Sequence, residues 1–314
     1  MSPSAAASAL EDAPAPARPH LRRLAVVINA ASGSVGAGAA AIVEQIVAER
    51  GYDLAMFAPE PRDIEQAVRG AVDGAPDALL VLAGDGTARL AGELCGAEGP
   101  LVAPLPGGTL NMLPHALYGH VHWREALVAA LDHGVERCVS GGRINGLAFY
   151  CAAILGSPAL WGHAREAVRK ADFAEAWRRA SFALRRAFTG ELHYTLDGAP
   201  RRDAEAMILM SPLVSKAMRE EVALEVAALE MHSAQEVFRL AFNGLISDWR
   251  HDPGVIVETA VRGRVWARHS IPAILDGEIQ KLPRGAEFVF EPCAFRALVP
   301  PPAAPAPASA ETPA

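Results

Sequence analysis

The sequence predicts an α/β domain with a mostly parallel sheet, followed by a second, β-rich domain. Three observations predict it. Short apolar runs alternate with helical stretches through the first 138 residues. Beyond about Cys138 the rhythm changes to short β-like segments with turn dipeptides among them. Three of the early apolar runs end in small-residue loops that lead into the next helix, the place where parallel sheets bind ligands.

Taken in order, Leu24–Ala30 (LAVVINA) reads as a buried parallel strand, and the loop ASGSVGAG follows it. A helix is expected from Ala39 to Arg50, stopped by Gly51. Asp53–Phe57 is a strand, Ile64–Val72 a helix and Ala78–Ala83 (ALLVLA) a third strand, running into Gly84-Asp85-Gly86-Thr87. A helix over about Ala88–Cys95, a strand over Leu101–Leu105 and the loop Pro106-Gly107-Gly108-Thr109 come next. The helix after them carries Asn111 and ends near Tyr118-Gly119. In the second half, Glu191–Leu196, Ala204–Met210, Val222–Leu229, Val255–Thr259, Arg264–Ala267 and Glu287–Phe290 read as strands. Asp197-Gly198, Asp252-Pro253-Gly254, Arg262-Gly263 and Asp276-Gly277 are turn signals among them. The expected organisation is a disordered tail over 1–20, an α/β domain over 21–138, a β-rich domain over 139–299 and a second disordered tail over 300–314.

The 314 residues suffice for two domains, and with 51% hydrophobic and 21% charged residues they predict packed cores. A net charge of −7 argues against non-specific nucleic-acid binding, so no nucleic-acid partner is expected. No apolar run is long enough to span a bilayer, and the first twenty residues lack the apolar stretch of a secretory signal; a cytoplasmic location is expected. Cys95, Cys138, Cys151 and Cys293 lack CxxC spacing and are expected to be buried and reduced.

The glycine loops carry the chemistry. Glycines let the backbone approach a phosphate and aim N–H groups at it, and a helix N-terminus adds favourable partial charge. Thr87 can donate a hydroxyl hydrogen bond. Asp85 would repel phosphates unless it holds Mg2+ or takes a proton, which makes it the metal candidate. The two units, strand–GDGT–helix and strand–PGGTLN–helix, lie some twenty residues apart, so successive strand ends can form one pocket, which Asn29, Ser32 and Gly33 extend. GxxxxGK[ST] is absent, GSVGAG does not fit GxGxxG, and HExxH and GxSxG are missing.

The trio VINAASG, AGDGT and PGGTLNML resembles the diacylglycerol kinase / sphingosine kinase family, in particular its soluble bacterial lipid kinases. Ile274-Leu275-Asp276-Gly277-Glu278 looks like the same family's late DGE motif, and the likeness runs over roughly residues 22–300. The resemblance implies a nucleotide-binding α/β domain, a sandwich-like lipid domain and phosphorylation of a lipid hydroxyl by ATP with Mg2+. By matched position, Asn29, Ser32, Gly33, Gly84, Asp85, Gly86, Thr87, Gly107, Gly108, Thr109 and Asn111 would surround the nucleotide and metal. Asp276 and Glu278 would face the acceptor hydroxyl together, because residues two apart in an extended segment share a side. One would be the general base, with a slight lean to Asp276.

The chain departs from the family pattern at Ala83, where a glycine is usual, and at Arg89-Leu90, where Asn-Glu is. These departures motivate one alternative, a catalytically weak ATP- or lipid-binding regulator; a kinase of a soluble alcohol such as NAD is a second, against which the late DGE and the β-rich half argue only through the resemblance. A helical stretch over 164–188 carries seven basic against three acidic side chains with aromatic residues interleaved. It is read either as a packed helix with a solvated basic face or as a peripheral contact with anionic membrane at the inner face. The partners expected are a lipid substrate and, allowed for but not specified, a second copy in a homodimer.

Overall fold

The structure is a computed structural model, and it describes residues 18–156, 192–215, 218, 221–229 and 255–301. The basic stretch over 164–188 lies outside the described residues.

The first domain alternates strand and helix: β1 (Arg23–Ile28), α1 (Ala39–Ala48), β2 (Asp53–Phe57), α2 (Ile64–Asp73), β3 (Ala78–Ala83), α3 (Asp85–Cys95), β4 (Leu101–Pro106), α4 (Met112–Tyr118) and α5 (Trp123–His133). β1 pairs in parallel with β2 and β3, and β3 with β4. β3 and β4 are buried along their whole length, which is why they read as continuous apolar runs rather than alternating ones. With three parallel pairings in register, the ends of β1, β3 and β4 lie side by side.

The second half is antiparallel. It contains β5 (Val135–Ile144), β6 (Leu147–Phe149), β7 (Ala152–Gly156), β8 (Leu192–Leu196), β9 (Arg202–Ala204), β10 (Ala206–Met210), β11 (Leu224–Leu229), β12 (Val255–Ala260), β13 (Arg262–Ala267), β14 (Ile271–Leu275), β15 (Glu278–Leu282) and β16 (Gly285–Val299). One sheet runs β2-β1-β3-β4-β16-β13-β8-β9, with β5 beside β16 and β6 beside β5; the other runs β12-β11-β10-β7-β14-β15. A core between the two sheets joins Ile144, Tyr194, Val265, Phe288 and Phe290 of the first to Leu155, Leu209, Val226 and Leu275 of the second. That is a sandwich, the layer solution for sheets that are each apolar on one face.

β16 links the halves. Its start pairs with β13, its length with β5, and Ala297 pairs in parallel with Val102 of β4. The first domain's core therefore takes in Phe295, Ala297, Leu298 and Val299 from the end of the chain, and Val139, Ala148, Tyr150 and Cys151 from beyond residue 138.

The cysteine expectation needs correction. Cys95 and Cys151 are buried and free, but Cys138 and Cys293 form a disulfide. They are 155 residues apart in sequence, and their spacing carries no signal of the pairing. What brings them together is the return of β16 along β5, with a register shift between Glu291 and Phe295 that sets Cys293 beside Cys138. Losing a native disulfide typically costs about 2–5 kcal/mol, with long closed loops at the upper end of the chain-entropy account. Cys293→Ser is expected to lower unfolding stability by about that range in urea titrations. An unchanged midpoint would mean that the β5–β16 ladder holds this joint without the covalent bond.

Candidate functional site

The site begins where β3 ends. Gly84 is extended and Asp85 already stands in the first turn of α3, so the GDGT motif opens the helix rather than preceding it. The N–H groups of Thr87 and Ala88 turn back to the Gly84 carbonyl, at 3.1 Å each. A helix start leaves its first N–H groups without helical partners, and Gly84 offers no side-chain cap, so Asp85 and Gly86 present bare donors at the strand end.

The second loop packs directly onto the first. A Cβ on Gly108 would lie 2.8 Å from the Gly84 Cα, and one on Gly107 would lie 2.8 Å from the Ala83 nitrogen. Neither position has room for a side chain, which is the physical content of the paired glycines. Asn111 takes a left-handed backbone (φ 51°) just ahead of α4 instead of lying on it. Its amide closes the loop: the Gly108 N–H donates to Oδ1 at 2.7 Å, and Nδ2 donates to the Gly108 carbonyl at 3.1 Å. Asn111 therefore shapes the loop, and both ends of its amide are engaged within it.

The first loop completes the cradle. Ser34 donates from its N–H to Gly107 and from its hydroxyl to Pro106. The Thr109 hydroxyl lies 3.1 Å from where a Gly33 Cβ would be, and the Ser32 hydroxyl lies 3.5 Å from that of Gly84. Asn29 accepts the Ala31 N–H on its side-chain oxygen, fixing the turn at the end of β1.

Asp85 reaches across to α4, where its Oδ1 accepts the Leu113 N–H at 3.2 Å. Burial raises its pKa above the usual carboxylate range, N–H groups of Leu113, Asn111 and Met112 oppose that, and the negative charge of Glu278 raises it further. A carboxylate whose ionisation a second carboxylate disfavours suits a nearby cation. Among the described residues no group of three or more His, Cys, Asp or Glu gathers to hold an ion. The set fits Mg2+, which is usually bound by one or two carboxylates plus substrate phosphates and water.

Asp276, Gly277 and Glu278 come from the second domain, at the tight turn between β14 and β15. The turn sits on both loops of the first domain. Glu278 Oε1 lies 3.0 Å from where a Gly86 Cβ would be, and Leu110 Cδ1 lies 3.3 Å from that of Gly277. The expectation that Asp276 and Glu278 share a side is corrected. Both Asp276 (φ 47°) and Gly277 (φ 88°) are left-handed, so the chain reverses there instead of running extended. Asp276 turns inward and is buried, accepting the N–H groups of Tyr150 (2.6 Å), Cys151 (2.8 Å) and Ala152 (2.9 Å). Glu278 stays exposed over Gly86.

Sequence reasoning did not find the three N–H donors of residues 150–152, and backbone groups leave no trace in residue identity. It also missed Arg143, which donates to Glu93 on α3 at 3.1 Å and to Glu291 on β16 at 2.9 Å, tying the helix of the GDGT motif to the second domain. Arg89 lies one turn along α3, 3.7 Å from Glu93, with its Nε buried and without a hydrogen-bond partner among the described residues; its charge acts on Asp276. His115 contacts His120 near the end of α4, away from the loops.

With this geometry in view, the comparisons with known proteins agree. Residues 23–142 match the family model described as the diacylglycerol kinase catalytic domain. A solved structure described as a diacylglycerol kinase from Bacillus anthracis str. Sterne aligns with TM-score 0.65 at 15% identity, covering 90% of this chain and 99% of that one. A second structure from the same organism aligns with TM-score 0.66 at 16% identity over the same shares. At such identities the likeness speaks for the fold.

Proposed function

We propose, from the match of residues 23–142 to the family model described as the diacylglycerol kinase catalytic domain, that this chain transfers the γ-phosphoryl group of ATP to a lipid hydroxyl. The observation that carries the reading is the seating of the Glu278 carboxylate, from the second domain, 3.0 Å from the Gly86 Cβ position in the first. Bare N–H groups at a helix start suit phosphate oxygens, and a carboxylate beside them suits the proton of an attacking alcohol.

In this reading the α3 opening and the PGGT loop hold the phosphates, with the hydroxyls of Thr87 and Thr109 at hand. Asp85 would hold Mg2+, which would supply charge neutralisation at the phosphates when bound. Glu278 takes the hydroxyl proton as the alcohol oxygen bonds to the γ-phosphorus, and the bond from that phosphorus to the bridging oxygen breaks to leave ADP. Asp276 orients the hairpin through its three backbone N–H groups and does not touch the acceptor.

A lipid acceptor is favoured by the outer face of the second sheet. Ile279, next to Glu278, pairs across the strands with Ile274, then Ile154, then Ile208. Directly opposed residues share a face, so this is a branched apolar row that begins at the base. None of the helices among the described residues is long and apolar enough to cross a membrane, so contact with lipid would be peripheral.

The test is transfer of label from γ-labelled ATP with Mg2+ to a panel of diacylglycerols, long-chain amino alcohols and NAD. Label in an organic-soluble product is expected. Label only in a water-soluble product would replace the lipid with a soluble alcohol, and nucleotide binding without transfer would leave a regulator.

A further inference from the structure

The second domain holds a cleft of ≈540 Å³ lined by Thr195, Arg264, Trp266, Ala267, Arg284 and Gly285. It lies on the face of the β8-β13-β16 sheet opposite the sandwich core. None of its lining residues belongs to the glycine loops or to the Asp276–Glu278 turn, and the phosphoryl-transfer site makes no use of it.

Its chemistry is one-sided. Arg264 stands opposite Thr195 on one neighbouring strand and opposite Glu287 on the other. Neither Arg264 nor Arg284 makes an ion pair within 4 Å among the described residues, Glu287 included. Asp203, the next carboxylate along the sheet, is already engaged by His193 at 2.6 Å and Arg201 at 3.1 Å. Arg268 and His269, which follow Ala267 in the chain, are exposed. An acidic protein thus places two unpaired guanidiniums in one concavity, where they repel each other. The Arg264 guanidinium stands 5.9 Å from the Trp266 ring, and the Gly285 Cβ position meets only Trp266 at 3.8 Å and Arg264 at 4.0 Å, which keeps the floor open.

Guanidiniums are the side chains best matched to phosphate oxygens, which they bind through paired N–H donors. The Thr195 hydroxyl adds a donor, and the indole gives an amphipathic wall for the carrier of the phosphate. We infer that this cleft is a second ligand site, separate from the nucleotide site, that takes a phosphate group on a small polar carrier. The phosphate comes either from a soluble phosphomonoester or from a phospholipid headgroup at a membrane surface.

The test uses the full chain and its Arg264→Gln/Arg284→Gln variant, with Arg62→Gln, an exposed arginine on the first domain, as the control for lost charge. Both cleft positions are exposed, so the variant is expected to keep the wild-type unfolding midpoint. Two probes are titrated at fixed ionic strength: glycerol 3-phosphate, followed calorimetrically, and vesicles of phosphatidylglycerol, with phosphatidylcholine vesicles for comparison. At least a tenfold loss of affinity for glycerol 3-phosphate in the double variant, spared in Arg62→Gln, establishes a site for a soluble phosphomonoester. The same loss confined to phosphatidylglycerol vesicles establishes a headgroup site. The inference is overturned if the wild type binds neither probe, if the double variant binds both as the wild type does, or if Arg62→Gln falls equally. None of these readouts requires phosphoryl transfer, so they stand or fall apart from the proposed activity.

Discussion

Glu278→Gln is expected to lower kcat by about 10²–10⁴, the usual contribution of a positioned general base, while nucleotide affinity stays within a few-fold of wild type. Glutamine keeps the size of the side chain over Gly86 and removes its ability to take a proton. The donors assigned to the phosphates are backbone N–H groups of α3 and the PGGT loop, which the substitution leaves alone. Single-turnover transfer to an accepted lipid, alongside equilibrium binding of ATP, separates the two quantities. A companion variant probes the same contact from the other domain. Gly86→Ala puts a methyl 3.0 Å from Glu278 Oε1, so the carboxylate must shift by a few tenths of an ångström and turnover is expected to fall with it. Wild-type turnover in Glu278→Gln would remove Glu278 as base and leave Asp85, its neighbour across the loop, as the group to test next.

What could be read from the residues divides along a physical line. β3 and β4 announce themselves because strands buried on both faces must be apolar throughout, and the motifs after them because glycines without room for a side chain leave that residue type behind. β5 left a misleading record. Gly141 and Gly142 resemble a turn, yet they sit inside a ten-residue strand because a Cβ on Gly142 would lie 2.3 Å from the Phe149 ring. The Cys138–Cys293 bond depends on the register of β16 against β5, a long-range property invisible in the spacing. The DGE motif was legible as a turn and as a pair of carboxylates. Which carboxylate points where follows from two left-handed residues and from three N–H groups more than a hundred residues away.

That last contrast gives the largest expected effect on stability. Asp276→Ala leaves the buried N–H groups of Tyr150, Cys151 and Ala152 without their acceptor, and each unsatisfied buried donor costs about 1–3 kcal/mol. It also puts alanine at a φ of 47°, a conformation that Asp and Asn tolerate better. A loss of several kcal/mol in unfolding free energy is therefore expected, against a change within about 0.5 kcal/mol for the exposed Glu278→Gln. Asp276→Asn keeps the turn and one acceptor oxygen and should fall between them. The pH dependence carries a further signature. Burial pushes the Asp276 pKa up to about 6 from 3.8, against the opposing pull of its three N–H donors and of Arg89. A folded-state pKa above the unfolded one means that the native state holds this proton after the unfolded chain has released it. The contribution is thus fully present below pH 3.8 and is lost as pH rises through about 6, on the order of 3 kcal/mol across the window. Urea midpoints of the wild type should show this component between pH 4 and 7, and those of Asp276→Asn should lack it. If Asp276→Ala unfolds at the wild-type midpoint, the hairpin is held by β14 and β15 alone. Asp276 would then be free to move toward the acceptor, and the division of labour between the two carboxylates would have to be redrawn.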